Sequence, residues 1–404
     1  MAVNLPDIGV LEPVNGIELG VATANIRYQG RLDLAVMTCV PGSVVGGVFT
    51  QNSYRAAPVI VAEANCGAIR GLVVNSGNAN AATGDVGLRD AEQMCALLSK
   101  RIGCVAEEVL PFSTGVIGEY LPMDRMAEGI ATAFQDCRPG GWNSAAEAIM
   151  TTDTAPKGLS VKFEVDGHTI SATGIVKGSG MIRPDMATML AFLGTDAAVS
   201  SGVAKQLALE LAEQSFNRLT IDGDTSTNDA FVVVSTGRAA LPIVTDVYSR
   251  AYTKLLEGLR PLVQDLAIRT VRDGEGATKF VTVSIEGGRT ERECLDVAYT
   301  VAHSPLVKTA IFAGDPNWGR FCMAIGRVGI ADLDPYRVSL HLDDVCVATD
   351  GKIDLGYVEA KAAAVMGRDE FTVRIYLGRG NASARVWTSD LSYEYVKINA
   401  EYRT

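Results

Sequence analysis

Short apolar runs that alternate with stretches of helical periodicity constrain this chain more than any other feature. Leu72-Val73-Val74 reads as a buried strand ending in the polar run Asn75-Ser76-Gly77-Asn78-Ala79-Asn80. Beyond it Leu88, Ala91, Cys95, Leu98 and Ile102 recur at alternating spacings of 3 and 4, which predicts a helix that Gly103 stops. The pattern then repeats along the chain. A short strand near Val109 leads to a turn at Ser113-Thr114-Gly115, and helices follow over Met123 to Phe134 and Trp142 to Met150. Val161, Phe163 and Val165 alternate as a strand does, and Met186 to Leu193 reads as a buried strand. Further helices are expected over Val203 to Phe216 and over Asp246 to Arg272, with Pro261 breaking or kinking the second. Val281, Val283 and Ile285 alternate ahead of Gly287-Gly288. Val373 to Leu377 and Ala384 to Thr388 look like two strands of a hairpin joined through Gly378-Arg379-Gly380, and Tyr393 to Thr404 reads as a tail packed back on the body. Mixed strands and helices of this kind predict an α/β or α+β architecture, without fixing the sheet order.

With 404 residues, 48% of them hydrophobic, the chain can bury more than one core. The formal net charge of −11 argues against a nucleic-acid partner, which calls for a basic face. The eight cysteines form no Cys-x-x-Cys pair, and a chain this long is expected to keep them reduced, in a cytoplasmic setting. His168, His303 and His341 are far apart, so neither a zinc site nor a histidine-based triad is expected. No run approaches the length of a membrane span, and Met1 to Val10 lacks the pattern of a secretory signal.

The least ordinary stretch is Lys177-Gly178-Ser179-Gly180-Met181-Ile182-Arg183-Pro184-Asp185-Met186-Ala187-Thr188-Met189-Leu190. A glycine-rich loop with a lysine suggests phosphate binding, but here the lysine comes first, whereas the phosphate-binding loop needs it at the far end. A plain turn into a core strand is the simplest alternative. A third reading gives Thr188 a role. If the Ala187–Thr188 bond were cut, Thr188 would carry a free α-amine with a reference pKa of roughly 7.7–8.0, able to take the proton of its own hydroxyl. That chemistry needs no histidine. Ser113-Thr114-Gly115 could supply oxyanion donors or be an ordinary turn. Thr151-Thr152-Asp153-Thr154 could be a capping cluster. The run Asp222 to Asp229 has the acid spacing of a calcium loop, but Asp229 stands where the loop's final Glu belongs.

Taken in order, these segments resemble one family. Leu32-Asp33-Leu34-Ala35, Gly47-Val48-Phe49-Thr50, Asn75 to Ala81, Ser113-Thr114-Gly115-Val116-Ile117-Gly118, Thr151 to Thr154, Lys177 to Met181, Ala187-Thr188-Met189-Leu190, the Asp222 to Asp229 run and Gly314-Asp315-Pro316-Asn317-Trp318-Gly319-Arg320 are similar to the ornithine acetyltransferases, glutamate N-acetyltransferases of arginine biosynthesis of the ArgJ type. The resemblance covers nearly the whole chain. It implies an α/β fold, a DmpA/ArgJ-like layered sandwich of sheets flanked by helices. It also implies self-cleavage between Ala187 and Thr188 into an α chain, 1–187, and a β chain, 188–404. The two would fold together, with a C-terminal subdomain from about 240 to 404, and assemble as α2β2. Thr188 would be the nucleophile, and Thr114 and Gly115 the oxyanion hole. Thr151, Lys177, Thr188, Glu275, Asn399 and Thr404 would contact substrate. No cofactor or metal is implied, the substrates are N-acetylornithine and glutamate, and acetyl-CoA is a second candidate donor. A self-cleaving aminopeptidase or amidohydrolase of DmpA type is the alternative, and a non-catalytic binding protein a more distant one. Asp185 departs from the Asn that many members carry, placing a negative charge beside the cleaved bond.

Overall fold

Strands with apolar residues on both faces need cover on both sides, and the N-terminal part of this chain meets that need with stacked layers. The computed structural model describes residues 2–183 and 189–401. Its strands, in chain order, are β1 (Ile17–Ala22), β2 (Leu34–Cys39), β3 (Val44–Phe49), β4 (Gly71–Asn78), β5 (Val109–Val116), β6 (Lys157–Val165), β7 (His168–Lys177), β8 (Leu190–Thr195), β9 (Leu219–Thr220), β10 (Ala230–Ser235), β11 (Phe280–Gly288), β12 (Ser339–Leu342), β13 (Val345–Thr349), β14 (Lys352–Ile353), β15 (Glu370–Tyr376) and β16 (Ala382–Ser389). The chain divides into two compact units: an N-terminal one of residues 6–217 and 224–270, and a C-terminal one of residues 2–5, 218–223 and 271–401.

The N-terminal unit holds two sheets, ordered β1-β2-β4-β5 and β3-β10-β8-β7-β6. Their facing sides share one core. Ala35, Met37, Leu72, Val74, Leu110 and Phe112 of the first sheet meet Ile175, Leu190, Phe192, Val232 and Val234 of the second. Phe112 and Phe192 cross the interface edge-on with ring centroids 5.1 Å apart, a contact worth about 1 kcal/mol beyond its area. The period-2 rule sends the intervening residues the other way. Leu34, Val36, Val73 and Val109 pack beneath the helices Gly84–Ile102 and Met123–Gln135. On the outer face of the second sheet a Cβ at Gly46 would run into the backbone of Ala204, in the helix Ser201–Glu213, and one at Gly174 would press on Leu262 and Leu266 of the helix Arg250–Arg272. The unit is therefore helix, sheet, sheet, helix: the layered α/β sandwich expected.

The C-terminal unit is built on a seven-stranded sheet, β14-β13-β12-β15-β11-β16-β9. Its core joins Val281, Val283 and Ile285 to Val297 and Val301 of the helix Glu291–Ala302, to Phe321 of the helix Trp318–Gly326, and to Val373, Ile375 and Val386.

One local expectation is corrected and two are narrowed. β15 and β16 are not a hairpin, because β11 lies between them, parallel to β15 and antiparallel to β16. The connection Gly378-Arg379-Gly380 instead wraps the end of β11: Arg379 and Gly380 both donate their backbone N–H to the carbonyl of Gly287. The helix Arg250–Arg272 runs through Pro261 without ending. Leu259, Leu262, Val263 and Leu266 around it are fully buried, and that packing offsets the roughly 3 kcal/mol a mid-helix proline costs. The tail expected from Tyr393 takes the form of a helix over Tyr393–Glu401. Of the strand expected over Met186 to Leu193, residues 190–193 belong to β8, and 186–188 lie outside the described residues.

Candidate active site

Two polar segments are drawn into the N-terminal core, each for an identifiable reason. The run Asn75 to Asn78 is not a loop after a strand but the end of β4 itself, fully buried. Buried amides are tolerated only when bonded, and these are. Asn75 donates to the carbonyl of Asn78 at 2.9 Å and accepts from Ser113 Oγ at 2.6 Å. Asn78 donates to the carbonyls of Glu119 and Tyr120. Ser76 Oγ donates to the carbonyl of Ala148.

Ser113-Thr114-Gly115 likewise lies inside β5 rather than in a turn, paired in parallel with Asn75, Ser76 and Gly77. Here the register shifts between Gly77 and Asn78, and two facing glycines make that distortion feasible. Gly115 has φ +133° and Gly77 φ +99°, and a Cβ on Gly115 would collide with the Gly77 carbonyl carbon. Only glycine serves at Gly115. Asn228 pins the arrangement from another segment, donating to the carbonyls of Ala79 at 2.6 Å and Ser113 at 2.8 Å.

Lys177 closes β7, in the facing sheet, and its Nζ donates to Thr114 Oγ1 at 3.0 Å; both side chains are buried. An ammonium only donates, so the threonine oxygen is the acceptor here and its own hydroxyl hydrogen is directed elsewhere. The result is a polarised donor beside the backbone N–H groups of a distorted strand end, the parts that stabilise a developing oxyanion.

Asp153 organises the surroundings of Lys177. Its carboxylate accepts from the backbone N–H of Thr151 at 2.9 Å and of Gly178 at 2.7 Å, and pairs with Lys157 Nζ at 2.7 Å with both side chains shut off from solvent. Burial by itself would push the Asp153 pKa up, but the charges of Lys157 and Lys177 and these hydrogen bonds prevail and hold it well below the ordinary carboxylate value. Thr151 is half-buried and tied to this carboxylate through its backbone, while Thr152 and Ser179 share a hydroxyl–hydroxyl bond of 2.7 Å. Asp153 and Lys157 were not singled out in the sequence as site residues. The available signal was a lysine opening a strand, four residues after an aspartate.

Thr114, Gly115, Thr151 and Lys177 thus belong to one neighbourhood. Glu275 and Asn399 belong to the C-terminal unit, where they touch each other: Asn399 Nδ2 donates to Glu275 Oε2 at 2.8 Å. Thr188, Ala187 and Thr404 lie outside the described residues. Among the described residues no group of three or more His, Cys, Asp and Glu side chains could hold a metal ion, and no helix is long and apolar enough to cross a membrane. All eight cysteines are free. Burial pushes the thiols of Cys39, Cys95 and Cys137 up to about 12, which leaves them poor nucleophiles.

A layered α/β sandwich with a buried lysine–threonine pair on facing strands suits an enzyme of the acyl-transfer class. The chain belongs to the ArgJ family, whose model matches residues 18–404. It is 53% identical over 405 residues, spanning 100% of both chains, to the arginine biosynthesis bifunctional protein ArgJ of Pseudomonas fluorescens (strain Pf0-1). It is 52% identical, again over 100% of both chains, to the protein of the same name from Pseudomonas syringae pv. tomato (strain ATCC BAA-871 / DC3000). Among solved structures, the arginine biosynthesis bifunctional protein argJ of Bacillus halodurans superposes with a TM-score of 0.50 at 35% identity, covering 53% of this chain and 100% of that one.

Proposed function

We propose that this acetyltransferase of arginine biosynthesis moves the acetyl group of N2-acetyl-L-ornithine to L-glutamate through an ester on Thr188. Cleavage of the Ala187–Thr188 bond frees the Thr188 α-amine. That amine takes the hydroxyl proton as Oγ attacks the acetyl carbonyl, and it returns a proton to the departing ornithine nitrogen as the amide bond breaks. The acetyl-threonine ester is then attacked by the α-amine of glutamate, and the same groups run in reverse. The two substrates share an α-amino acid head, so one pocket serves both half-reactions.

The observation that carries this reading is the Lys177–Thr114 contact. It leaves a hydroxyl hydrogen to donate to the tetrahedral oxyanion, with the backbone at Gly115 alongside. The substrate contacts in this reading are Thr151, Lys177, Thr188, Glu275, Asn399 and Thr404, with Lys177 facing a carboxylate and Glu275 an amine. The enzyme works in the cytoplasm as an α2β2 assembly, needs no cofactor or metal, and accepts acetyl-CoA as a second donor. Initial rates over a grid of N-acetylornithine and glutamate concentrations test the reading. Parallel double-reciprocal lines support it, whereas ornithine release that ignores glutamate points to a hydrolase.

A further inference from the structure

The helix Tyr393–Glu401 carries Asn399 yet buries none of its own residues; Tyr393 is 82% and Val396 61% exposed. Apolar burial therefore contributes little to its position, and a few point contacts set it. Ser392 Oγ donates to the carbonyl of Gly276 at 2.6 Å and accepts the backbone N–H of Tyr395 at 3.2 Å. Gly276, at φ +64°, lies so close that a Cβ there would strike the Tyr395 nitrogen. The ring of Tyr393 meets Phe312 edge-on at 5.4 Å. One further contact reaches a rigid element. Tyr395 Oη donates to Asp222 Oδ2 at 3.1 Å, and Asp222 lies just past Ile221 at the end of β9, which is paired with β16 in the sheet.

Tyr395 and Asn399 are four residues apart and so share one face of the helix. Asn399 Nδ2 also donates to the Tyr395 carbonyl, at 3.0 Å, besides Glu275. The tyrosine anchors this face, and the amide four residues on meets the carboxylate.

We propose that Tyr395 is a positioning residue: its hydrogen bond to Asp222 seats the C-terminal helix so that Asn399 is held against Glu275, and this sets the affinity for the side-chain ammonium of N-acetylornithine. The inference rests on the reading of Glu275 and Asn399 as substrate contacts. Glutamate has no side-chain ammonium, so the effect belongs to the donor half-reaction.

The test uses the full-length processed enzyme and the variants Tyr395→Phe, Asn399→Ala and their combination. Each single variant is expected to lower kcat/KM for N-acetylornithine by about 3- to 10-fold, the loss of one hydrogen bond. At the same time kcat/KM for glutamate and kcat are expected to hold within about twofold in Tyr395→Phe, whose side chain touches no substrate. The double variant is expected to fall no further than Asn399→Ala alone, because the two changes act on one contact. If Asn399→Ala impairs the donor half-reaction and Tyr395→Phe does not, the positioning role is wrong. Losses that multiply in the double variant, or that fall equally on both substrates along with the melting temperature, overturn it too. If Asn399→Ala changes nothing, the substrate assignment itself fails and takes this proposal with it.

Discussion

Lys177 Nζ stands 3.0 Å from Thr114 Oγ1, joining the ends of two strands from facing sheets inside the N-terminal unit. The lysine fixes which way the threonine hydroxyl points, so changing either partner has a defined consequence. Thr114→Val removes the donor at nearly constant volume and leaves the lysine facing a methyl group. Its kcat is expected to fall about 100- to 1,000-fold, the loss measured when one oxyanion donor is removed. Thr114→Ser keeps the hydroxyl and is expected to retain most activity. Steady-state transfer from N-acetylornithine to glutamate checks both, and a Thr114→Val enzyme within about threefold of wild type would exclude the threonine from oxyanion binding.

Gly115 leaves no room for a side chain against Gly77. Gly115→Ala is expected to destabilise by about 1–3 kcal/mol or more, combining strain at positive φ with overpacking. It should also distort the donor pair. Thermal unfolding together with kcat provides the check: a variant with unchanged melting temperature and rate would mean the strand end is not so constrained.

Asp153 is buried between Lys157 and Lys177. Asp153→Asn removes the counter-charge from two buried cations and is expected to cost about 3–5 kcal/mol at neutral pH. The sign with pH follows from the depressed pKa. The carboxylate's contribution is fully present above the ordinary value of 3.8 and is lost as pH falls through the lower folded-state value. The wild-type advantage over Asp153→Asn in denaturant midpoint should stay flat from about pH 7 to pH 5 and shrink below about pH 4. An advantage that grew on acidification would contradict the assignment of charge.

Lys308 is buried in the C-terminal unit and donates to Thr388 Oγ1 and the carbonyl of Ser389. Burial lowers its pKa from 10.5 to about 8, against the opposing pull of Asp390 and Asp222. Below about pH 8 the charge is present in both folded and unfolded states and burying it costs stability. As pH rises from about 8 to 10.5 only the unfolded state stays protonated, and stability rises. Relative to Lys308→Met, wild type is expected to gain on the order of 3 kcal/mol across that window. Paired melting curves at pH 7 and pH 10 decide it; a relative loss at the higher pH would reverse the sign and refute the burial argument.

Much of the fold was legible because burial imposes periodicity. The helix anchored by Leu88, Cys95 and Leu98 spans Gly84–Ile102 as its spacing implied, and the alternation of Val161, Phe163 and Val165 lies within β6. Misreadings came where long-range partners decide the outcome. Asn75 to Asn78 look like loop residues until Ser113 and the Glu119 and Tyr120 carbonyls appear beside them. β15 and β16 look like a hairpin because nothing in their own residues announces that β11, some eighty residues earlier in sequence, inserts between them. Of the candidate site, Thr114, Gly115, Thr151 and Lys177 were marked by sequence motifs. Asp153, which ties the last two together, stood inside the Thr151 to Thr154 motif but was given no role of its own, because a carboxylate's role as a hub exists only once its donors have folded around it.

The central claim is that a threonine freed by backbone cleavage carries the acetyl group. Mass spectrometry of the purified enzyme, before and after incubation with N-acetylornithine in the absence of glutamate, tests it most directly. The expected result is two fragments, the second beginning at Thr188 and becoming heavier by one acetyl group, which adding glutamate then removes; Thr188→Ala should give one uncut, unacetylated chain. A fully active preparation made only of the intact chain, or an acetyl group carried on any other residue, would contradict the claim.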